Sequence, residues 1–186
     1  MRKVIASEFM TLDGVMEEPQ KWSLRYWNDE IAKFKFDELS ASDALLLGRV
    51  TYQGFAAAWP KMAKKEAEGE YAGMMNGYPK FVVSTTLEEP LEWNNSRLIK
   101  ENVAEEVSRL KPQPGRDILI FGSGDLVNTL MEHDLIDEYR LLVYPFVLGN
   151  GKRVFRDGID NKVLRLVETR SFSSGAVLLS YQPAGD

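Results

Sequence analysis

Two short, wholly apolar runs, each ending in glycine and opening into a helix-forming segment, constrain this chain most. Ala44-Leu45-Leu46-Leu47 leads into Gly48-Arg49-Val50-Thr51-Tyr52, and Ile118-Leu119-Ile120-Phe121 leads into Gly122-Ser123-Gly124-Asp125-Leu126. A strand that is apolar at consecutive positions has no wet face. It belongs inside a sheet covered on both sides, which is the habit of parallel sheets. A helix following at once supplies the cover and the crossover.

The rest of the chain extends the pattern. Strands are predicted at 4–10, 80–84, 97–99 and 117–121, with helices at 29–40, 50–58, 102–110 and 125–132. Asn28 is placed to cap the first helix, whose apolar side is Ile31, Phe34, Phe36 and Leu39. Segment 60–77, rich in Lys, Glu and Gly, reads as a surface helix. After residue 133 the pattern is all strand, at 136–147, 162–172 and 175–182, with Ser173-Ser174-Gly175 as a hairpin turn. The expectation is one α/β domain over 1–186. Its central mixed sheet would be mostly parallel, with antiparallel strands added at the C-terminal edge.

Composition removes several chemistries. The chain has 186 residues, no Cys, one His and a net charge of −5. Disulfides, zinc–thiolate sites, iron–sulfur clusters and thiol nucleophiles are excluded, and no metal centre is expected. The acidic balance argues against nucleic acid as a partner. No apolar run reaches the length of a membrane span. Acids at Glu8, Asp13, Glu17 and Glu18 interrupt the first segment, so no targeting signal and a cytoplasmic location are expected. His133 follows Glu132 near a helix end, where a histidine complements the dipole. No G-x-S-x-G elbow is present.

The two strand-to-helix turns are the chemical candidates. At each, free backbone N–H groups and the helix dipole favour an anion. Ligands of open α/β sheets lie beyond the carboxyl ends of the strands. Arg49 adds a positive charge and Thr51 a hydroxyl. Two such turns suit a ligand with two or three phosphates, although a glycine at either turn alone is also explained by tight backbone geometry. The second turn lacks the full G-x-G-x-x-G pattern, since residue 127 is Val. Val83-Ser84-Thr85-Thr86 ends another strand with hydroxyls, which fits a ribose phosphate or a plain turn. Lys152-Arg153, after Leu148-Gly149-Asn150-Gly151, could receive an anion, but reads first as a turn with basic decoration. Trp22, Tyr26 and Trp27 form an aromatic cluster in a long loop, with Asp13, Asp29 and Glu30 as the nearby acids.

These elements together resemble the dihydrofolate-reductase-like superfamily. The carriers are Leu12-Asp13-Gly14, Leu47-Gly48-Arg49-Val50-Thr51-Tyr52, Phe81-Val82-Val83-Ser84-Thr85 and Ile118 through Leu126. Leu135-Ile136-Asp137-Glu138-Tyr139-Arg140-Leu141 and Pro145-Phe146-Val147-Leu148-Gly149-Asn150-Gly151 look like one branch of it. That branch is the reductase half of the riboflavin-pathway deaminase-reductase and its stand-alone relatives. The resemblance implies a three-layer α/β/α fold, NADPH as cofactor, and a homodimer. It implies reduction of a small nitrogen heterocycle like that of 5-amino-6-(5-phosphoribosylamino)uracil reductase, with dihydrofolate reduction or non-catalytic nucleotide binding as alternatives. Carried over by position, Gly48, Arg49 and Thr51 would meet the cofactor phosphates. Ser84 and Thr85 would lie near the adenosine 2′-phosphate. Gly122, Ser123, Gly124, Asp125 and Leu126 would wrap the diphosphate, with Gly14 also at the cofactor. Thr11, Asp13 and Gly14 would line the nicotinamide–substrate cleft. On this reading the substrate would fill the space under the Trp22–Trp27 loop, and Asp13, Glu30 or a bound water would supply the proton.

Overall fold

A computed structural model of the chain describes residues 1–62 and 69–185. Eight strands form one sheet: β1 (Val4–Thr11), β2 (Ser42–Gly48), β3 (Lys80–Val83), β4 (Ser96–Ile99), β5 (Asp117–Phe121), β6 (Glu138–Tyr144), β7 (Leu164–Ser171) and β8 (Val177–Pro183). The helices are α1 (Asp29–Ser40), α2 (Arg49–Met62), α3 (Gly69–Gly77), α4 (Val103–Leu110) and α5 (Gly124–Glu132). Part of the surface helix expected over 60–77 falls at 63–68, outside the described residues.

The strand order is β4-β3-β2-β5-β1-β6-β8-β7. Every pair from β4 to β6 is parallel, and β8 runs antiparallel to both β6 and β7. The fold is the mixed α/β sheet expected, with one difference at its edge. Of the three C-terminal strands, β6 lies parallel to β1. It follows α5, which acts as a crossover and returns the chain in the same direction. The antiparallel pairing begins one strand later. The β6 strand is also shorter than 136–147, because Pro145 has no N–H to donate to a ladder.

The period of two along each central strand divides the core. Val4, Ala6, Ala44, Leu46, Ile118 and Ile120 pack on one face with α4 and α5. Ile5, Leu45, Leu47, Leu119 and Phe121 pack on the other with Tyr52 of α2 and Met75 of α3. Ile31 of α1 joins Trp22, Tyr144 and Phe172 in a third cluster beside the C-terminal strands. Continuous apolar runs are thus what a central strand needs when both faces are covered.

Neighbouring strands β2 and β5 send their helices to opposite faces. The chain leaves Gly48 into α2 on one side and Gly122 into α5 on the other. Two diverging backbones leave a crevice between them at the carboxyl ends of the strands.

Candidate active site

The crevice is a cleft of about 900 Å³. Gly48, Arg49 and Thr51 line it from the first turn, Ser84 and Thr85 from the end of β3, and Gly122 through Leu126 from the second turn. The two turns are bonded to each other. Ser123 Oγ accepts from the Gly48 N–H at 2.8 Å and donates to the Phe121 carbonyl at 3.0 Å. The Ser123 N–H donates to Thr51 Oγ1 at 3.1 Å. Gly48 and Ser123 thereby spend their amides on the cradle itself. Arg49, Val50 and Thr51 begin α2, and Gly124, Asp125 and Leu126 precede the first intrahelical bond of α5, from the Val127 N–H to Ser123 O. Those amides are the donors a bound anion would use.

The backbone at the second turn is built for close approach. Gly122 has φ 55°, and a Cβ there would meet Thr51 Oγ1 at 2.8 Å. Ser123 takes the left-handed conformation that the sequence demands of it, with φ 60° and ψ 43°. A Cβ on Gly124 would meet Met16 Sδ at 2.6 Å. This packed, amide-lined cradle, with exposed Arg49 at one corner and Lys152 at the other, fits a diphosphate.

Lys152 reaches the cleft because loop 149–153 is zipped to loop 15–17. Met16 N–H donates to Lys152 O at 2.8 Å, and Lys152 N–H to Glu17 Oε2 at 3.1 Å. Its ammonium pairs with Asp125 Oδ2 at 2.7 Å, with both groups largely in water. A basic pair beyond a glycine turn carried no sign that it would fold back onto α5. Ser84 Oγ accepts from the Thr86 and Leu87 N–H groups, each at 3.1 Å, so part of its hydroxyl chemistry closes the turn.

Other sequence candidates lie away from the cleft. Asp13 sits at the surface and bonds the chain itself: it accepts from Thr11 Oγ1, from the Gly149 N–H at 2.8 Å and from the Leu148 N–H at 3.2 Å. Those bonds, that from Thr11 foremost, hold its carboxyl down at about 2. Such a group is ionised at neutral pH and has no proton to give. Glu30 binds Ser173 across the surface. Thr11 is buried and accepts from the Val15 N–H at 3.0 Å. Gly14 lies against Arg153. Trp22 is a core residue whose indole N–H donates to Glu17 O at 3.0 Å, and Trp27 is half-exposed.

A second feature lay unread in the sequence. A recess of about 120 Å³ is walled by Ser7, Glu8 and Phe9 of β1, Lys35 of α1, Tyr71 of α3 and Phe121. It shares Met16, Pro19 and Gly122 with the outer cleft. Lys35 and Glu38 are buried and paired, although Lys and Glu are rarely interior. Lys35 Nζ also donates to Ser7 Oγ at 3.0 Å, and Ser7 Oγ donates to Glu38 Oε1 at 2.8 Å. Arg140 extends the network, 3.6 Å from Glu38 and 2.7 Å from Glu138. Burial drives the Glu8 carboxyl well above the usual range, against the pull of Lys35 and with the push of Glu38. The signal was present: Ile31, Lys35, Glu38 and Leu39 share one helical face, and Glu8 interrupts a central strand.

Comparisons with known proteins follow the same lines. The chain is 34% identical over 183 residues to the uncharacterized protein YyaP of Bacillus subtilis (strain 168), covering 97% of this chain and 94% of YyaP. Among solved structures, a Shewanella sp. PV-4 protein whose name places it in riboflavin biosynthesis aligns over 100% of both chains, with a TM-score of 0.78 and 19% identity. The Thermotoga maritima diaminohydroxyphosphoribosylaminopyrimidine deaminase/5-amino-6-(5-phosphoribosylamino)uracil reductase aligns over 98% of this chain and 57% of its own, at TM-score 0.65 and 17% identity. Dihydrofolate reductase from Enterococcus faecalis, complexed with NADP(H), aligns over 98% and 97% at TM-score 0.65 and 15% identity. At such identities the structures speak for the fold, which is dihydrofolate-reductase-like. The model of the RibD C-terminal domain matches residues 2–178, and the chain belongs to that family.

Proposed function

We propose that the chain is an NADPH-dependent reductase of a small nitrogen heterocycle. The observation that carries this reading is the pair of amide-lined corners at Arg49–Thr51 and Gly122–Leu126, tied together through Ser123 and facing one cleft. A ligand with two linked phosphates can span them, and membership in the RibD C-terminal family supports a reductase. The dinucleotide would supply hydride; the protein supplies position and charge.

In this reading the free N–H groups at the starts of α2 and α5 hold the diphosphate, with Arg49 and Lys152 adding charge from either side. Gly122 and Gly124 admit the phosphates to the backbone. Ser84 and Thr85 border the adenosine end. The substrate ring lies inward, toward the recess beneath Met16 and Pro19.

Calorimetric titration with NADPH tests it. The wild-type chain should bind, and Arg49→Ala should weaken binding about tenfold, or about 1.4 kcal/mol. Equal affinity in the variant removes Arg49 from the site. No binding by the wild type refutes the reading.

A further inference from the structure

Two asparagines of this chain stand directly before glycine, in Asn76-Gly77 and Asn150-Gly151. Such a pair can react with itself. The glycine nitrogen attacks the asparagine carboxamide carbon, and no Cβ crowds its approach. The reaction needs an unheld carboxamide, an uncommitted glycine N–H and a backbone able to turn between them.

Asn76 meets none of these needs. Its Nδ2 donates to Trp59 O at 3.0 Å and to Ala72 O at 2.8 Å, and its Oδ1 accepts from Trp93 Nε1 at 2.7 Å. It lies in α3, whose helical ladder takes the Gly77 N–H. Asn150 is the opposite case. Both it and Gly151 are exposed, and among the described residues neither its carboxamide nor the Gly151 N–H enters a hydrogen bond. A Cβ on Gly149 would meet nothing within 4 Å, so the space beside this turn is open. The fold itself demands the reactive glycine. Gly151 has φ 117°, and a Cβ there would meet Val15 Cγ1 at 2.8 Å.

The pair hangs between two anchors. Before it, the Gly149 N–H donates to Asp13 Oδ2 at 2.8 Å. After it, the Lys152 N–H donates to Glu17 Oε2 at 3.1 Å, and Lys152 O accepts from the Met16 N–H at 2.8 Å. The second anchor is the one that carries Lys152 to the cleft.

We propose that Asn150-Gly151 is a site of intramolecular deamidation whose product loosens the loop that brings Lys152 to the cleft. The Gly151 nitrogen loses its proton to base and bonds to Asn150 Cγ. The Cγ–Nδ2 bond breaks, and the leaving nitrogen takes up a proton and departs as ammonia. Water then opens the cyclic imide at either carbonyl, leaving aspartate or isoaspartate. Nothing is oxidised or reduced. Either product adds a carboxylate beside Glu17, whose Oε2 would lie 3.1 Å from a Cβ on Gly151. The like charges repel across the zip between the two loops. Isoaspartate also lengthens the backbone by a methylene between the anchors. The consequence for NADPH rests on the preceding reading; the deamidation does not.

The test ages the full chain in mildly alkaline buffer and follows its peptides by mass, with enzymatic methylation marking isoaspartate. Asn150 should convert at least tenfold faster than Asn76, and faster as pH rises, because the attacking nitrogen must be deprotonated. Asn150→Gln, whose longer carboxamide closes far more slowly, should stay intact. Hydrogen exchange at the Met16 and Lys152 amides should quicken in the aged wild type and not in the aged variant. An Asn150 that persists, an Asn76 that converts as fast, or unchanged exchange at those two amides would each overturn the proposal. Where fresh wild type binds NADPH, the aged chain should bind it at least threefold more weakly, and aged Asn150→Gln should match the fresh protein. Equal affinity in the deamidated chain would overturn the link to the cleft. Fresh wild type that does not bind NADPH sinks the reductase reading and leaves the deamidation result standing.

Discussion

The outer cleft and the inner recess lie at the same end of one sheet, share Met16, Pro19 and Gly122, and treat charge in opposite ways. In the cleft the charged groups stand in water: Arg49 is exposed, and Lys152 and Asp125 pair at the rim. Its fixed parts are backbone amides and glycines. In the recess the charges are interior, and the side chains of Lys35 and Glu38 are 8% and 1% exposed. A solvated charge costs little to keep and contributes little to stability. A buried one must be matched, and its removal strands its partner. The cleft is therefore open to substitution at its charges and rigid at its backbone, while the recess is intolerant of change at its charges.

Breaking the recess should produce the largest effect. Lys35→Met leaves Glu38 buried with Arg140 as its remaining cation, and should cost about 3–5 kcal/mol in denaturant unfolding. A cost below about 1 kcal/mol would mean that water reaches this network as freely as it reaches Lys152, and the contrast would fail. Next comes the cleft backbone. Gly122→Ala places a Cβ at positive φ and 2.8 Å from Thr51 Oγ1. It should destabilise the chain by about 1–3 kcal/mol and weaken NADPH binding, by the same two methods. The smallest effect belongs to the rim. Lys152→Ala should change stability by less than about 1 kcal/mol, since its pair with Asp125 is screened, while lowering NADPH affinity in a salt-dependent way.

What the sequence disclosed divides along the same line. The cleft was legible because its parts are local: an apolar strand, a glycine and a helix start sit within a few residues at 44–52 and again at 118–126. Their meeting followed from topology, since β2 and β5 are neighbours whose helices leave to opposite faces. The placement of Lys152 at the cleft was not legible, because it arrives by long-range pairing of two loops. The recess was missed for a different reason. Glu8 interrupts an apolar strand and Lys35 and Glu38 sit on the apolar face of α1, yet each is far from the others in the chain. Only the pairing of α1 against β1 shows that Ser7, Lys35 and Glu38 satisfy one another. Asp13 shows the converse. It stands next to a glycine turn in a motif suited to ligand contact, while its carboxylate ties down the 148–149 backbone.

Amide hydrogen exchange with and without NADPH tests the central claim most directly. The account predicts that the dinucleotide slows exchange at the amides of Val50 and Thr51 and at those of Asp125 and Leu126 together, with both corners protected at the same ligand concentration. Protection confined to one corner, or bound NADPH that leaves both corners exchanging as before, would contradict it.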